Sequence, residues 1–232
     1  MLKAITREQL LGNYGKLSSY VLLYVLCELV ISSLITEIQG GFLIDLISGL
    51  AGSLLLSVFT VGFMRVCMQV ARSSEFALKD FFYAFKHDPD KVIIISFVHW
   101  FFSTLMLLPI YIPEEAGASV GLGKGALTLL KCVLVAVFMV LYLYVYILLS
   151  QSYFIYLDRQ ELNAREILAL SIRVMSRNKF RYFYLMFNVF GMMCLTVLTL
   201  GIAIFWMLPC MYGLMVNFYE DLRGALTVEE EC

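Results

Sequence analysis

Residues 126–157 read ALTLLKCVLVAVFMVLYLYVYILLSQSYFIYL, a long apolar run whose single charge is Lys131. A helix rises about 1.5 Å per residue, so about 20 apolar residues cross the hydrocarbon core of a bilayer. The run is therefore read as a membrane span. It is too long for a simple crossing, so its inner end projects from the membrane or tilts. Working outward from it, comparable runs fall at about 17–37, 43–66, 91–112, 181–199 and 202–218. The composition agrees, with 61% hydrophobic and 15% charged residues, against about 25% charged in an ordinary soluble domain. The last two runs are short and meet at Thr199-Leu200-Gly201. They read as two spans, with one broken or re-entrant element as the alternative.

The charges give an orientation. Of 17 basic residues, 15 fall in alternate polar segments: Lys3, Arg7, Lys16, Arg65, Arg72, Lys79, Lys86, Lys91, Arg159, Arg165, Arg173, Arg177, Lys179, Arg181 and Arg223. The opposite segments carry Lys124, with Lys131 just inside a span, and the acids Glu37, Asp45, Glu114 and Glu115. Lys and Arg accumulate on the cytoplasmic side of short loops. Both termini are therefore expected in the cytoplasm, with the short loops outside. The first run is not a cleaved signal peptide on this reading. It extends for roughly 20 residues, carries Glu28 and lacks a small-residue cleavage site. Four prolines and no Ser/Gly-rich linker argue for a single polytopic domain over 1–232 with an acidic tail at 224–232.

A pattern repeats three times. Before each odd-numbered span lies a short amphipathic segment, followed by a basic residue at the membrane border. In the first, Thr6 and Gln9 fit a capping box, and Leu10, Tyr14 and Leu17 share a helical face. In the second, Leu78, Phe81, Phe82 and Phe85 form an apolar stripe opposite Lys79, Tyr83 and Lys86. Glu75 and Lys79 there have the spacing of an i,i+4 ion pair, and Pro89 ends the segment. In the third, Asn163 caps a helix with Glu166. Ala164, Ile167, Leu168, Ser171, Val174 and Met175 make one face, and Arg165, Arg173 and Arg177 another, with Lys179 and Arg181 following. The units run over about 4–72, 73–158 and 159–223. The expected fold is an all-α membrane protein of six transmembrane helices in three hairpins, each preceded by a cytoplasmic amphipathic helix. Those helices either bring their basic sides to anionic lipid, at about 1 kcal/mol per Lys or Arg, or simply cap the bundle and set its topology, the plainer reading.

Several polar groups fall inside the apolar runs. Glu28 lies mid-span, where an acid costs roughly 2.5–3.5 kcal/mol on insertion scales. His99 is expected at similar depth and Lys131 somewhat further out. Glu28 and His99 could share a proton in a transport or substrate site. The plainer reading is a neutral Glu28 that hydrogen-bonds between helices. Arg65 is expected to snorkel to the interface, and Asn188 and Asn217 to bridge the last hairpin. Tyr142, Tyr144 and Tyr146 cannot share one helical face, so some must meet protein.

Catalytic constellations are not evident. Gly117-Ala118-Ser119-Val120-Gly121 has the letters of a nucleophile elbow, without the strand-to-helix setting or a nearby histidine. Gly121-Leu122-Gly123-Lys124-Gly125 fails the spacing of a phosphate loop. Cys27, Cys67, Cys132, Cys194, Cys210 and Cys232 form no CxxC pair and read as apolar filler. No metal or cofactor is expected. The net charge of -1 does not suggest nucleic acid.

Three pieces resemble a bacterial membrane family known only as domain of unknown function nine-seven-five. One is Leu10-Leu11-Gly12-Asn13-Tyr14, and a second is Glu75 to Lys86 with Asp80-Phe81-Phe82 and Phe85. The third is the last third of the chain: Tyr156-Leu157-Asp158, Asn163-Ala164-Arg165-Glu166, Ser171, Met175, Asn178-Lys179, Leu198-Thr199-Leu200-Gly201-Ile202, Pro209 and Phe218-Tyr219-Glu220-Asp221-Leu222. The fourth span departs from the family in lacking a Pro-Gly kink. The resemblance implies a six-span plasma-membrane protein of the kind found in Gram-positive bacteria, and brings no activity, cofactor or catalytic residue with it.

The resulting expectation is a non-enzymatic membrane protein, an accessory of an export or envelope process that binds anionic lipid or a membrane or cytoplasmic protein. Its working face would be Arg165, Arg173, Arg177, Lys179 and Arg181. The alternative is a small transporter or lipid translocator with a midplane Glu28/His99 site. Homo-oligomerisation is left open.

Overall fold

A computed structural model describes residues 2–10, 14–38, 40–111 and 124–230. The described residues are helical and turn, with no strand. The helices are α1 (Leu2–Leu10), α2 (Tyr14–Glu37), α3 (Gly41–Ala71), α4 (Leu78–Phe81), α5 (Tyr83–Lys86), α6 (Pro89–Leu107), α7 (Lys124–Leu149), α8 (Ser152–Asp158), α9 (Ala164–Leu198) and α10 (Ile204–Glu230), with a 3-10 turn over Leu108–Tyr111. The motif Gly117–Gly121, with Ser119, lies outside the described residues, as do Gly121–Gly123 of the second glycine-rich motif and Leu11, Gly12, Asn13 and Cys232.

Among the described residues, five stretches are long and apolar enough to cross a membrane: Tyr14–Glu37, Leu43–Ala71, Pro89–Ile110, Gly125–Asp158 and Ala164–Leu198. α10 is comparably long, but its apolar run leads into Glu220, Asp221 and Arg223, and it is not one of the five. The long helices expose large apolar side chains that water would not tolerate in such density. Phe180 is 90% exposed, Phe187 70% and Leu198 80%. Such surfaces are at home against lipid tails.

Burial concentrates at one end of the bundle. In α3 the buried residues run from Ser57 to Val70, whereas Leu43, Ile44 and Ile47 are exposed. The main core joins Phe63 and Cys67 of α3, Phe81 of α4, Ile95 of α6, Phe154 of α8, Ile167 of α9 and Tyr219 of α10. A second cluster packs Met175, Tyr182 and Leu185 against Phe218 and Leu222. A third joins Leu10 and Leu17 to Val66 and Val70. All three lie towards the end that carries most of the charges.

Three local expectations need correction. Thr6 and Gln9 do not cap a helix, because α1 begins before them and Thr6 is buried within it. The segment 75–86 is not one amphipathic helix. Glu75 lies in coil ahead of α4, so it has no helical i,i+4 relation to Lys79, and the chain breaks at Phe82 (φ −97°, ψ 16°). The break turns Asp80, Phe81, Tyr83 and Ala84 inward and leaves Leu78 and Phe85 exposed. The third amphipathic helix and the fifth span are continuous in α9, with non-helical backbone only at Asn178 (φ −112°, ψ 15°). The long fourth run bends without Pro or Gly, at a turn over Ser150–Gln151 that separates α7 from α8.

The other readings of α9 hold. Ala164, Ile167, Ser171, Val174 and Met175 are buried, and the Asn163 N–H donates to Glu166 Oε2 at 2.8 Å. Pro89 occupies the first turn of α6, where its missing N–H costs nothing. Between α9 and α10 the chain reverses at Leu200 and Gly201, both with positive φ (53° and 88°).

Candidate functional site

At the buried, charged end each amphipathic element packs on a span of a neighbouring unit. α4 and α5 lie on α3, α1 lies on α10 and α3, and the start of α9 lies on α7 and α8. The contacts recur at equivalent positions. Gly62, Leu148 and Gly213 each stand ten residues before the unit-ending residues Arg72, Asp158 and Arg223. A Cβ on Gly62 would sit 1.8 Å from the Phe81 carbonyl oxygen, and one on Gly213 would sit 2.7 Å from the Thr6 methyl. The Leu148 carbonyl accepts a hydrogen bond from the Ser171 hydroxyl at 2.8 Å. Thus position 62 of α3 touches the α4 segment, position 148 of α7 touches α9, and position 213 of α10 touches α1.

Polar side chains reinforce these seams. The Asn217 amide donates to Thr6 Oγ1 and Gln9 Oε1, both at 2.8 Å, while Gln9 Nε2 donates to the Ala71 carbonyl at 3.0 Å. Asn217 therefore bridges α10 to α1 and does not bridge the final hairpin. Asn188 bonds only within its own helix, to the Tyr184 carbonyl. Arg65 does not snorkel. It pairs with Asp80 at 3.3 Å and stacks on the Tyr83 ring at 3.6 Å. Burial pushes the Asp80 carboxyl up, but hydrogen bonds from the Ala77 N–H, Gln69 and Arg65, with the Arg65 charge, outweigh it and hold the group below its ordinary value.

The three unit ends meet in one ion network. Arg72 bonds Asp158 at 2.7 Å and Glu220 at 2.6 Å. Arg223 approaches Asp158 at 3.2 Å and Glu220 at 3.5 Å, and the Tyr219 hydroxyl donates to Asp158 at 3.0 Å. The Asp158 side chain is only 8% exposed. Its two acceptor oxygens are shared by partners from α10 and from the end of α3, so it acts as the hub.

The expected basic face is divided by the structure. Arg165, Arg173 and Arg177 are exposed on α9. Lys179 reaches over the Tyr144 ring at 5.2 Å, on the side of α7 away from the Tyr142–Tyr146 pair, as helical spacing requires. Arg181 is committed to Asp221 of α10 and lies over Phe218.

Glu28, His99 and Lys131 are not joined to one another by a hydrogen bond or ion pair among the described residues. Glu28 is exposed on α2. His99, on α6, donates from Nδ1 to the Ile95 carbonyl (2.9 Å), stacks on Tyr153 at 5.4 Å and meets Tyr146 edge-on. α3 packs against both α2 and α6. Lys131 is half-buried on α7. Cys67 is buried, Cys27 and Cys210 are half-buried, and Cys132 and Cys194 are exposed. Among the described residues no cluster of His, Cys, Asp and Glu could hold a metal ion.

An all-helical chain with five membrane-capable helices, tied at one end by charges and seams, is a polytopic membrane-type protein. The chain belongs to the family described as "Protein of unknown function (DUF975)", which it matches over residues 1–225. No curated protein and no solved structure matches it.

Proposed function

We propose that this chain is a six-span plasma-membrane protein with both termini cytoplasmic, and that it works without catalysis. On this reading it binds anionic lipid or a partner protein at its cytoplasmic face, as an accessory to an export or envelope process. The observation that carries the reading is the exposure of Arg165, Arg173 and Arg177 on a helix whose opposite face buries Ala164, Ile167, Ser171, Val174 and Met175 and half-buries Leu168. A rigidly seated helix presents these cations at fixed spacing. Each such cation near an anionic membrane surface contributes about 1 kcal/mol.

The test is recovery of lipid and protein from native membrane with the purified chain, read by mass spectrometry. Replacing the three together (Arg165→Gln, Arg173→Gln, Arg177→Gln) is expected to remove the co-purifying component while thermal unfolding stays unchanged. Unchanged recovery would overturn the proposal. A transporter built on Glu28 and His99 has less support, because Glu28 points outward and His99 is occupied by Tyr153 and Tyr146.

A further inference from the structure

Beside the end of α3 a recess of about 470 Å³ opens between Gln9, Lys16, Ser73, Ser74, Glu75 and Phe76. Small-molecule sites span about 300–1,000 Å³. The side chains of Lys16, Ser73, Ser74 and Glu75 make no hydrogen bond or ion pair with any described residue. The chain also holds this loop in a demanding shape. Ser73 takes φ 53°, and the N–H groups of Ser73 and Ser74 return to the carbonyls of Val70 and Gln69 at 3.1 and 2.9 Å. Phe76 forms an apolar wall, fixed edge-on against Tyr20 at 5.7 Å. Lys16 stands in the first turn of α2 and Ser73–Glu75 directly follow α3. The recess therefore lies where two apolar helices begin and end, which the orientation proposed above puts at the level of lipid headgroups.

A cation and an anion that share a recess without pairing suit a ligand carrying both charges. We infer that the recess binds a zwitterionic phosphoamine, with its phosphate on Lys16 and the Ser73 and Ser74 hydroxyls and its ammonium on Glu75. A purely anionic headgroup would meet Glu75 as a like charge. The same chemistry is offered by a phosphatidylethanolamine headgroup and by free phosphoethanolamine. The inference assigns a ligand class to one patch of the face proposed above, and so rests on that reading.

The experiment uses the full chain in mild detergent. It is titrated with dihexanoyl phosphatidylethanolamine, dihexanoyl phosphatidylglycerol and free phosphoethanolamine, and occupancy is read by native mass spectrometry. The wild type is expected to favour the ethanolamine lipid by about tenfold, as one charge-assisted contact gives. Glu75→Gln should erase that preference, and Lys16→Gln should weaken both lipids. Ser73→Gly suits the left-handed backbone, so its expected loss of affinity cannot come from unfolding. Binding of free phosphoethanolamine as tight as that of the lipid assigns a soluble source, and weaker binding a membrane source; both support the inference. Equal affinity for the two lipids in the wild type, or unchanged affinity in Glu75→Gln and Ser73→Gly, would overturn it. The triple arginine variant separates the two ideas. Retained ethanolamine preference there leaves the recess standing even if the arginine face proves inert.

Discussion

Gly62 and Asp80 show how single residues decide the seam between α3 and α4. A methyl group at position 62 would collide with backbone, since its neighbour is the Phe81 carbonyl oxygen at 1.8 Å. Gly62→Ala is expected to destabilise the chain by about 1–3 kcal/mol, the usual cost of overpacking. Gly191→Ala, where nothing lies within 4 Å, should be neutral or mildly stabilising; thermal unfolding of the two purified variants checks both. Asp80 adds a pH dependence. Its carboxyl is held below the ordinary value when folded, so the unfolded chain takes up that proton first as pH falls. The stability it contributes is fully present above the ordinary carboxylate value and disappears as pH drops through the folded value. Unfolding followed across acidic pH should show this loss in the wild type and a flatter profile in Asp80→Asn. An unaltered profile would show that the Arg65 pair has no such role.

At the scale of elements, α1 is held by side chains from distant parts of the chain. Asn217 reaches Thr6 across 211 residues of sequence. Replacing it with Leu removes the two hydrogen bonds that it donates to α1, at about 1–3 kcal/mol. Asn217→Leu should therefore raise hydrogen exchange in α1 while leaving the middle of α9 protected; equal protection of α1 in both proteins would mean that the seam does not hold it. The legibility of the elements follows the same distinction. The buried face of α9 was readable because Ala164, Ile167, Ser171, Val174 and Met175 recur with the helical period, and its Glu166 cap lies three residues from Asn163. The seams were not readable, because a contact such as Asn217–Thr6 leaves no spacing in the sequence. The segment 78–86 misled for a related reason. Its apolar letters fit one helix, but the chain breaks at Phe82 into two short helices, and both Asp80 and Tyr83 meet Arg65.

Across the whole molecule, the charge pattern and the packing point to the same end. The residues that end the three units, Arg72, Asp158 and Arg223, converge with Glu220 in one network. The sequence pattern suggested three units, and Gly62, Leu148 and Gly213, each ten residues before Arg72, Asp158 and Arg223, all touch an element from elsewhere in the chain. What the pattern could not convey is that the network links residues 86 positions apart, as in Arg72–Asp158. The proposed orientation makes this end cytoplasmic and sends the turn at Leu200 outside. Labelling with a membrane-impermeant maleimide tests it most directly, in a background whose natural cysteines are replaced by alanine. Ser74→Cys, Leu200→Cys and Gly224→Cys are compared in intact cells and in inverted vesicles. Labelling of Leu200→Cys in cells alone, with Ser74→Cys and Gly224→Cys labelled only in inverted vesicles, is the expected result. Labelling of Leu200→Cys and Gly224→Cys from the same side would contradict the six-span arrangement.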